Sequence, residues 1–493
     1  MLNVNPSQTR VAIIGAGFSG IAAAIALTRQ GITDFVMFEE SEGIGGTWWK
    51  NRYPGAEVDL ESHIYSFSYE RNDWTRVYAH WYQLQEYLER VARKWGLLEK
   101  VRFSTKVVSA EWSSVDQTYA VITSTNNEPE IFNAVISAVG FLNIPLIPPF
   151  ARGEVSYEGD LCHTSNWPNG LSMVGKSVAV VGTGSSAVQV VEVAESEASN
   201  LTIFQMEPNW ILPKESREFT DAERRMNRLA PVYFWKRLNL YLGYDLRQRN
   251  SQHARLDGQV NKKRQTAALE YLNSSLADRP DLIPILKPEF PVEGRRTVIS
   301  DTYYKCLKSP KVTLIPSAVK ELIQKGVIDA NGNSYDFDMV VLATGFDAAN
   351  YLSTFTIKGE NRKELHEFWE GEPEAFLGLM VPGFPNFFMM YGPNTNAVPL
   401  VSFYEAQGAF IAKVLKRARS KNMSTVNVKI AAHNKYNARL QQQLSLTVWA
   451  QTKSYFKSGT GKVVTQWPFS ASRYILSTKV APYTSVDYCE TKT

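Results

Sequence analysis

The run Val11-Ala12-Ile13-Ile14-Gly15-Ala16-Gly17-Phe18-Ser19-Gly20 predicts a buried strand, a tight glycine turn and the first turn of a helix. Unbroken apolar residues suit a strand covered on both faces, as in a parallel sheet. Ala, Ile and Leu then recur at helical spacing through residues 18–30, and a second apolar run, Phe35–Phe38, closes on Glu39. The three glycines have separate uses: Gly15 for the turn, Gly17 for close approach of the backbone to a pyrophosphate, Gly20 for packing helix on strand. The free N–H groups at the helix start favour phosphate. Glu39, about 20 residues after the loop, is placed to accept hydrogen bonds from an adenine ribose.

The pattern returns at Gly182-x-Gly184-x-x-Ala187, behind a strand expected at 177–181 and ahead of a helix over 186–195 and a strand over 201–204. Alanine at the third position is an accepted variant. Two such loops in one chain suggest two nucleotides held at once. Residues 214–288 show helical periodicity at 221–247 and 259–277 and no strand-like alternation, so they read as a helical insertion. Its apolar stripe (Val232, Tyr233, Phe234, Trp235, Leu238, Leu240, Tyr241, Leu242) lies beside Arg224, Arg225, Lys236 and Arg237. We expect it to be packed core or a dimer contact rather than a membrane-surface helix or a lid. Strands are expected again at 312–315 and 339–343. The fold class is therefore α/β, with two Rossmann-like dinucleotide-binding domains, the second inserted in the first, plus a helical subdomain. The expected boundaries are 1–145 with 341–493 for the first domain and 146–169 for a linker. The second domain takes 170–213 with 289–340, and the insertion 214–288.

Composition narrows the class of function. The chain has 493 residues, enough for about three cores. A net charge of +4 is too small to imply a nucleic-acid surface. Cys162, Cys306 and Cys489 are far apart and form no CxxC, which argues against a disulfide framework or a dithiol redox centre and for a reducing compartment. The six histidines are dispersed, so no metal site is expected. Residues 1–10 lack the apolar core of a signal peptide, and the apolar run 376–391 is broken by Pro382, Gly383 and Pro385. Cys489 is misplaced for prenylation. The expectation is a soluble cytoplasmic protein without a transmembrane segment.

Two further runs are specific. Gly45-Gly46-Thr47-Trp48-Trp49-Lys50-Asn51-Arg52-Tyr53-Pro54-Gly55-Ala56-Glu57-Val58-Asp59 resembles the GGTWxxNxYPGxxxD hallmark of Baeyer–Villiger monooxygenases. Tyr157-x-Gly159-x-x-x-His163-x-x-x-Trp167-Pro168 resembles the FxGxxxHxxxW(P/D) fingerprint of the same family, with Tyr157 in place of Phe. Residues 62–68, Ala343-Thr344-Gly345 and Tyr391-Gly392-Pro393-Asn394 extend the likeness over most of the chain, closest to the 4-hydroxyacetophenone monooxygenase-like branch.

The resemblance implies FAD contacts at Gly15, Gly17, Gly20, Glu39, Gly46, Thr47, Trp48, Asp59, Tyr65 and Val107. It implies NADPH contacts at Gly182, Thr183, Gly184, Ser185, Ser186, Gln189, Gln205 and Arg295. His163 and Trp167 would couple movement of the nicotinamide domain to the flavin site. Arg296 aligns with the family's active-site arginine, with Thr297 replacing the usual Pro, and Asp59 would hold it. The implied reaction inserts one atom of O2 beside a ketone carbonyl, through a flavin peroxide, to give an ester or lactone. One departure concerns the nicotinamide: Met206 stands where the family has an Arg that grips the 2′-phosphate. Glu207 would repel that phosphate if it points inward. NADPH is still the expected donor, with NADH the alternative. The implied partners are a small ketone and O2, and the chain would be a monomer or homodimer. Rival readings are an N- or S-oxygenating flavin monooxygenase and a non-catalytic FAD-binding protein, though the latter needs only one dinucleotide loop.

Overall fold

The computed structural model describes residues 9–153 and 156–490. Its first sheet is five-stranded and parallel, in the order Phe387–Met389, Ala134–Ser137, Val11–Ile14, Phe35–Phe38, Val101–Arg102. Val11 pairs with Phe35 on one side and Ala134 on the other, and all of Val11–Ile14 is buried. This is why the run could be uninterruptedly apolar. The helix Phe18–Arg29 covers the sheet with small side chains, Ala22, Ala23 and Ala24 among them, and packs against the long helix Leu400–Ser420.

The second sheet repeats the plan: Val312–Ile315, Asn200–Phe204, Ser177–Val181, Met339–Leu342, Asp160–His163, all parallel. Met339 pairs with both Val178 and Asp160. The expected boundary between 340 and 341 thus falls inside a strand of this sheet, and the segment expected to be a linker supplies the edge strand Asp160–His163. A short apolar run shows that a strand forms, but not which sheet it joins. An antiparallel hairpin set, Val107–Ser113, Thr118–Thr123 and Asn126–Phe132, is edged by Thr356–Lys358.

The insertion is helical, as expected, but 221–247 is two helices, Asp221–Asn227 and Ala230–Gln248. Thr220 and Glu223 form a capping box on the first. Pro231 tolerates only the opening turn of a helix, so a new one begins there after an extended Leu229. The stripe on this second helix is not packed core. Tyr233 is buried, yet Phe234, Trp235, Leu238 and Leu242 are each more than two-fifths exposed.

Tyr233 packs on His63, which lies between it (4.9 Å) and Phe219 (5.4 Å). Burial, then the charges of Lys236 and Arg237, push the His63 pKa down to about 3. The imidazole is thus neutral in the folded chain over the range where an unfolded histidine, near 6.5, gains a proton. Its contribution to stability is fully present above pH 6.5 and is lost as the pH falls toward 3. Between pH 6.5 and 4.5 the loss should be about 2 kcal/mol. Denaturant melts of the protein and His63→Phe at both pH values should show this much less acid sensitivity in the variant. Equal sensitivity would remove His63 from the acid response.

Candidate active site

The first loop is shaped by contacts that only glycine permits. Gly15 has φ +104°, and a Cβ there would lie 2.6 Å from the Ala138 carbonyl oxygen; one on Gly20 would lie 2.0 Å from the Gly15 oxygen. Helix Phe18–Arg29 starts with no side-chain cap, which leaves its first N–H groups free for phosphate oxygens. Glu39 is buried, and its carboxylate accepts from the N–H groups of Ala16 (2.8 Å) and Ser41 (2.9 Å). Those bonds fix it beside the loop while its other lone pairs remain for ribose hydroxyls. Gly46 abuts Gly17, and the short helix Thr47–Lys50 carries Trp48, whose Nε1 donates to the Tyr65 hydroxyl at 3.2 Å.

Residues 53–57 run from that helix onto the second nucleotide unit. The Tyr53 hydroxyl donates to Gln189 Oε1 (2.7 Å) and lies 3.2 Å from Ser186 Oγ. Gln189 Nε2 donates back to the Glu57 carbonyl (2.9 Å). Gln189 and Ser186 sit on helix Ser185–Glu197, directly after the second loop. Both loops therefore open into one cavity of about 1520 Å³. Its lining includes Gly15, Gly17, Gly182, Gly184, Asp59 and Arg296. Single-ligand pockets span about 300–1,000 Å³, so this space suits two dinucleotides and a substrate.

Between the loops stands an ion pair. Arg296 Nε donates to Asp59 Oδ2 at 3.1 Å, and Nη2 closes on the same oxygen. Burial alone would raise the Asp59 carboxyl. The charge and hydrogen bonds of Arg296, with Lys214 behind them, hold it below the usual carboxylate range. The charge of Asp59 in turn raises the guanidinium further. Both groups stay ionised at any working pH. The Arg296 side chain is enclosed by protein yet 40% accessible, because it lines the cavity. Tyr455 and Tyr391 lie close to it. No sequence signal marked Tyr455; it arrives because Lys453 accepts from Arg295 Nε (3.0 Å), which lays that segment on the arginine loop.

The other expected site residues divide between the cavity wall and places off it. Thr47, Trp48, Tyr65, Val107, Thr183, Ser185 and Ser186 line the cavity, whereas Gly20 serves helix packing. Gln205 does not reach the cavity: it is buried and donates to the Ile285 carbonyl at 2.9 Å. His163 and Trp167 also stand off the cavity. His163 ends the edge strand of the second sheet and accepts from Ser165 N through Nδ1 (3.1 Å), while Trp167 donates to the Leu171 carbonyl. The link of His163 to the cavity runs through Ser165, Gly345 and Phe346, which do line it. Met206 is 76% exposed. Arg295, expected on the 2′-phosphate, is ion-paired with Glu207 and stacks on Phe290.

Geometry of this kind defines a protein built around two dinucleotides and one guarded cation. The family model described as Flavin-binding monooxygenase-like matches residues 8–365, and the chain belongs to that family. A Baeyer–Villiger monooxygenase of Pseudomonas aeruginosa is 33% identical over 95% of this chain and 92% of its own. One from Streptomyces coelicolor is 31% identical, over 96% and 91%. Among solved structures, NADP+-bound cyclohexanone monooxygenase from Rhodococcus sp. Phi1 superimposes with a TM-score of 0.87 at 26% identity, covering 98% of this chain and 100% of that one.

The Glu207–Arg295 pair sets a measurable expectation. Glu207→Gln should release Arg295 toward a 2′-phosphate. One charge-assisted hydrogen bond is worth roughly 1.5–3 kcal/mol, or about ten- to a hundred-fold in affinity. Calorimetric titration should show NADP+ binding tightened on that scale and NAD+ binding nearly unchanged. Unaltered NADP+ affinity would mean that Arg295 does not face the phosphate.

Proposed function

We propose that the protein is an FAD- and NADPH-dependent Baeyer–Villiger monooxygenase that converts a ketone to an ester or lactone. The observation that carries this reading is the Arg296–Asp59 pair, set between two dinucleotide loops in one cavity. The cradle fits FAD: the Gly15–Gly20 contact leaves room for a pyrophosphate, Glu39 is held for a ribose, and Trp48 and Tyr65 wall the inner end. Bound FAD supplies hydride acceptance from the nicotinamide and activation of O2. The second loop, with Thr183, Ser185 and Ser186, holds the nicotinamide dinucleotide. The sequence resemblance supports the finer placement in the 4-hydroxyacetophenone monooxygenase-like branch.

The chain's own residues have separable duties. Arg296 offers N–H donors to the ketone oxygen as it gains negative charge, and its guanidinium keeps its proton throughout. Asp59 fixes the direction of that fork through two bonds to one oxygen. Tyr65, pushed up to about 12 by burial, stays a neutral donor behind Trp48. His163 and Trp167, anchored to the second sheet, are positioned to transmit its movement through residues 344–346.

Arg296→Ala should bind FAD and accept hydride from NADPH, while ester formation falls by about 10²–10³, the usual cost of losing an oxyanion donor. O2 would then be consumed without oxygenated product. Stopped-flow reduction, together with product mass for a gain of one oxygen across a ketone panel, tests both the assignment and the role. Near-normal product from the variant would overturn the role of Arg296, and no oxygenated ketone from the unaltered protein would overturn the assignment.

A further inference from the structure

Helix Ala230–Gln248 is built inside out. Phe234, Trp235, Leu238, Leu242 and Leu246 share one face and are 48%, 65%, 44%, 45% and 65% exposed. The buried face instead carries Tyr233, Arg237 and Gln248. A surface helix ordinarily does the reverse. The stripe runs ~18 Å from residue 234 to residue 246, and the preceding turn adds Met226 and Leu229, both more than half exposed. The neighbouring helix Ala471–Thr484 is tied to it: Asp245 accepts from Ser472 N at 2.7 Å, and Leu476, one turn on, is also exposed. Apolar surface of this extent marks an interaction site.

Charge identifies the occupant. Arg225, Arg249 and Lys479 beside the stripe are exposed, and none is ion-paired with a described acid. Of the nearby acids, Glu223 pairs with Arg217 and Asp73 with Arg224 and Arg228, while Asp245 accepts from Ser472 N and the exposed Asp221 has no ion pair among the described residues, so cations exceed unpaired acids beside the stripe by one. A second copy docked on the same face would bring those cations together. An anionic phospholipid surface meets both features: apolar side chains enter the acyl boundary, Trp235 sits at the interface, and the cations meet headgroups. No described helix is long and apolar enough to cross a membrane, so the contact is peripheral.

The inner side of the same helix reaches the cavity through Tyr244, Arg247 and Gln248. We propose that this face docks the protein on an anionic bilayer, and that the cavity takes its ketone from the lipid, making the substrate class lipophilic, membrane-partitioned ketones. The substrate clause rests on the oxygenase reading; the docking clause does not.

FAD-loaded protein should co-sediment with vesicles of phosphatidylcholine and phosphatidylglycerol at low salt, and far less with phosphatidylcholine alone. Leu238→Glu with Leu242→Glu should weaken vesicle partition at least ten-fold while leaving turnover of a water-soluble ketone unchanged. Arg225→Glu with Arg249→Glu should abolish the preference for anionic vesicles. No vesicle binding by the unaltered protein would overturn the docking clause. So would a dimer in sedimentation velocity that the double leucine variant splits, which would mark the face as an interface between copies. A long-chain ketone embedded in vesicles should be oxidised faster by the unaltered protein than by the double leucine variant. Equal rates, with vesicle binding intact, would overturn the substrate clause alone. Failure to oxidise any ketone, with binding intact, would overturn the oxygenase reading instead.

Discussion

The junction of residues 53–57 with the start of helix Ser185–Glu197 is the constraint on which the cavity depends. Across it the Tyr53 hydroxyl donates to Gln189 Oε1, and Gln189 Nε2 donates to the Glu57 carbonyl. Gly55, at φ +81°, would put a Cβ 2.5 Å from the Gln189 carbonyl, so the two backbones touch as closely as glycine allows. These bonds set one helix N-terminus against the segment that also carries Trp48 and Asp59. The two nucleotide units thereby share one cavity.

Behind the junction lies a compact charge cluster that keeps the site electrostatically stiff. Glu57 receives Lys214 Nζ at 2.5 Å, Arg76 at 3.5 Å and His80 at 3.7 Å, and Lys214 is almost wholly buried. Asp301 accepts the N–H groups of Lys214, Glu215 and Ser216, which pins the turn that delivers that lysine. Burial, with the charge of Arg76, lowers His80, so Glu57 answers chiefly to the lysine and arginine. Removing one member of a buried pair typically costs about 3–5 kcal/mol because the other is left uncompensated. Lys214 also lowers Asp59, so this cluster adds to the field that holds the Asp59–Arg296 pair ionised.

The nicotinamide side is tuned differently from the family pattern that its sequence resembles. Arg295 faces a carboxylate of its own chain, and Met206, 76% exposed, lines the cavity beside Glu207. Thr183 Oγ1 donates to the Glu207 carbonyl at 2.9 Å, which ties this charge pair to the glycine loop itself. In the proposed role of Arg295, binding a phosphorylated ribose includes the work of parting Glu207 from Arg295.

Much of this was legible in the chain alone because it is local. The strands Val11–Ile14, Phe35–Phe38, Ser177–Val181 and Val312–Ile315 lie where their apolar runs placed them, and both glycine loops precede helices. The motif at residues 45–59 singled out Asp59, and the alignment at 294–304 singled out Arg296. What the sequence could not convey was pairing over long separations: that Met339–Leu342 sits between Ser177–Val181 and Asp160–His163, that Gln205 turns inward, that Glu207 meets Arg295, or that Tyr455 reaches Arg296. Side-chain periodicity reports which face of an element is apolar but not what covers it: on Ala230–Gln248 the stripe is exposed on the folded chain rather than packed in its core. Local propensity decided the elements. Only the folded arrangement, through contacts between residues hundreds of positions apart, decided what each face and each charge would meet.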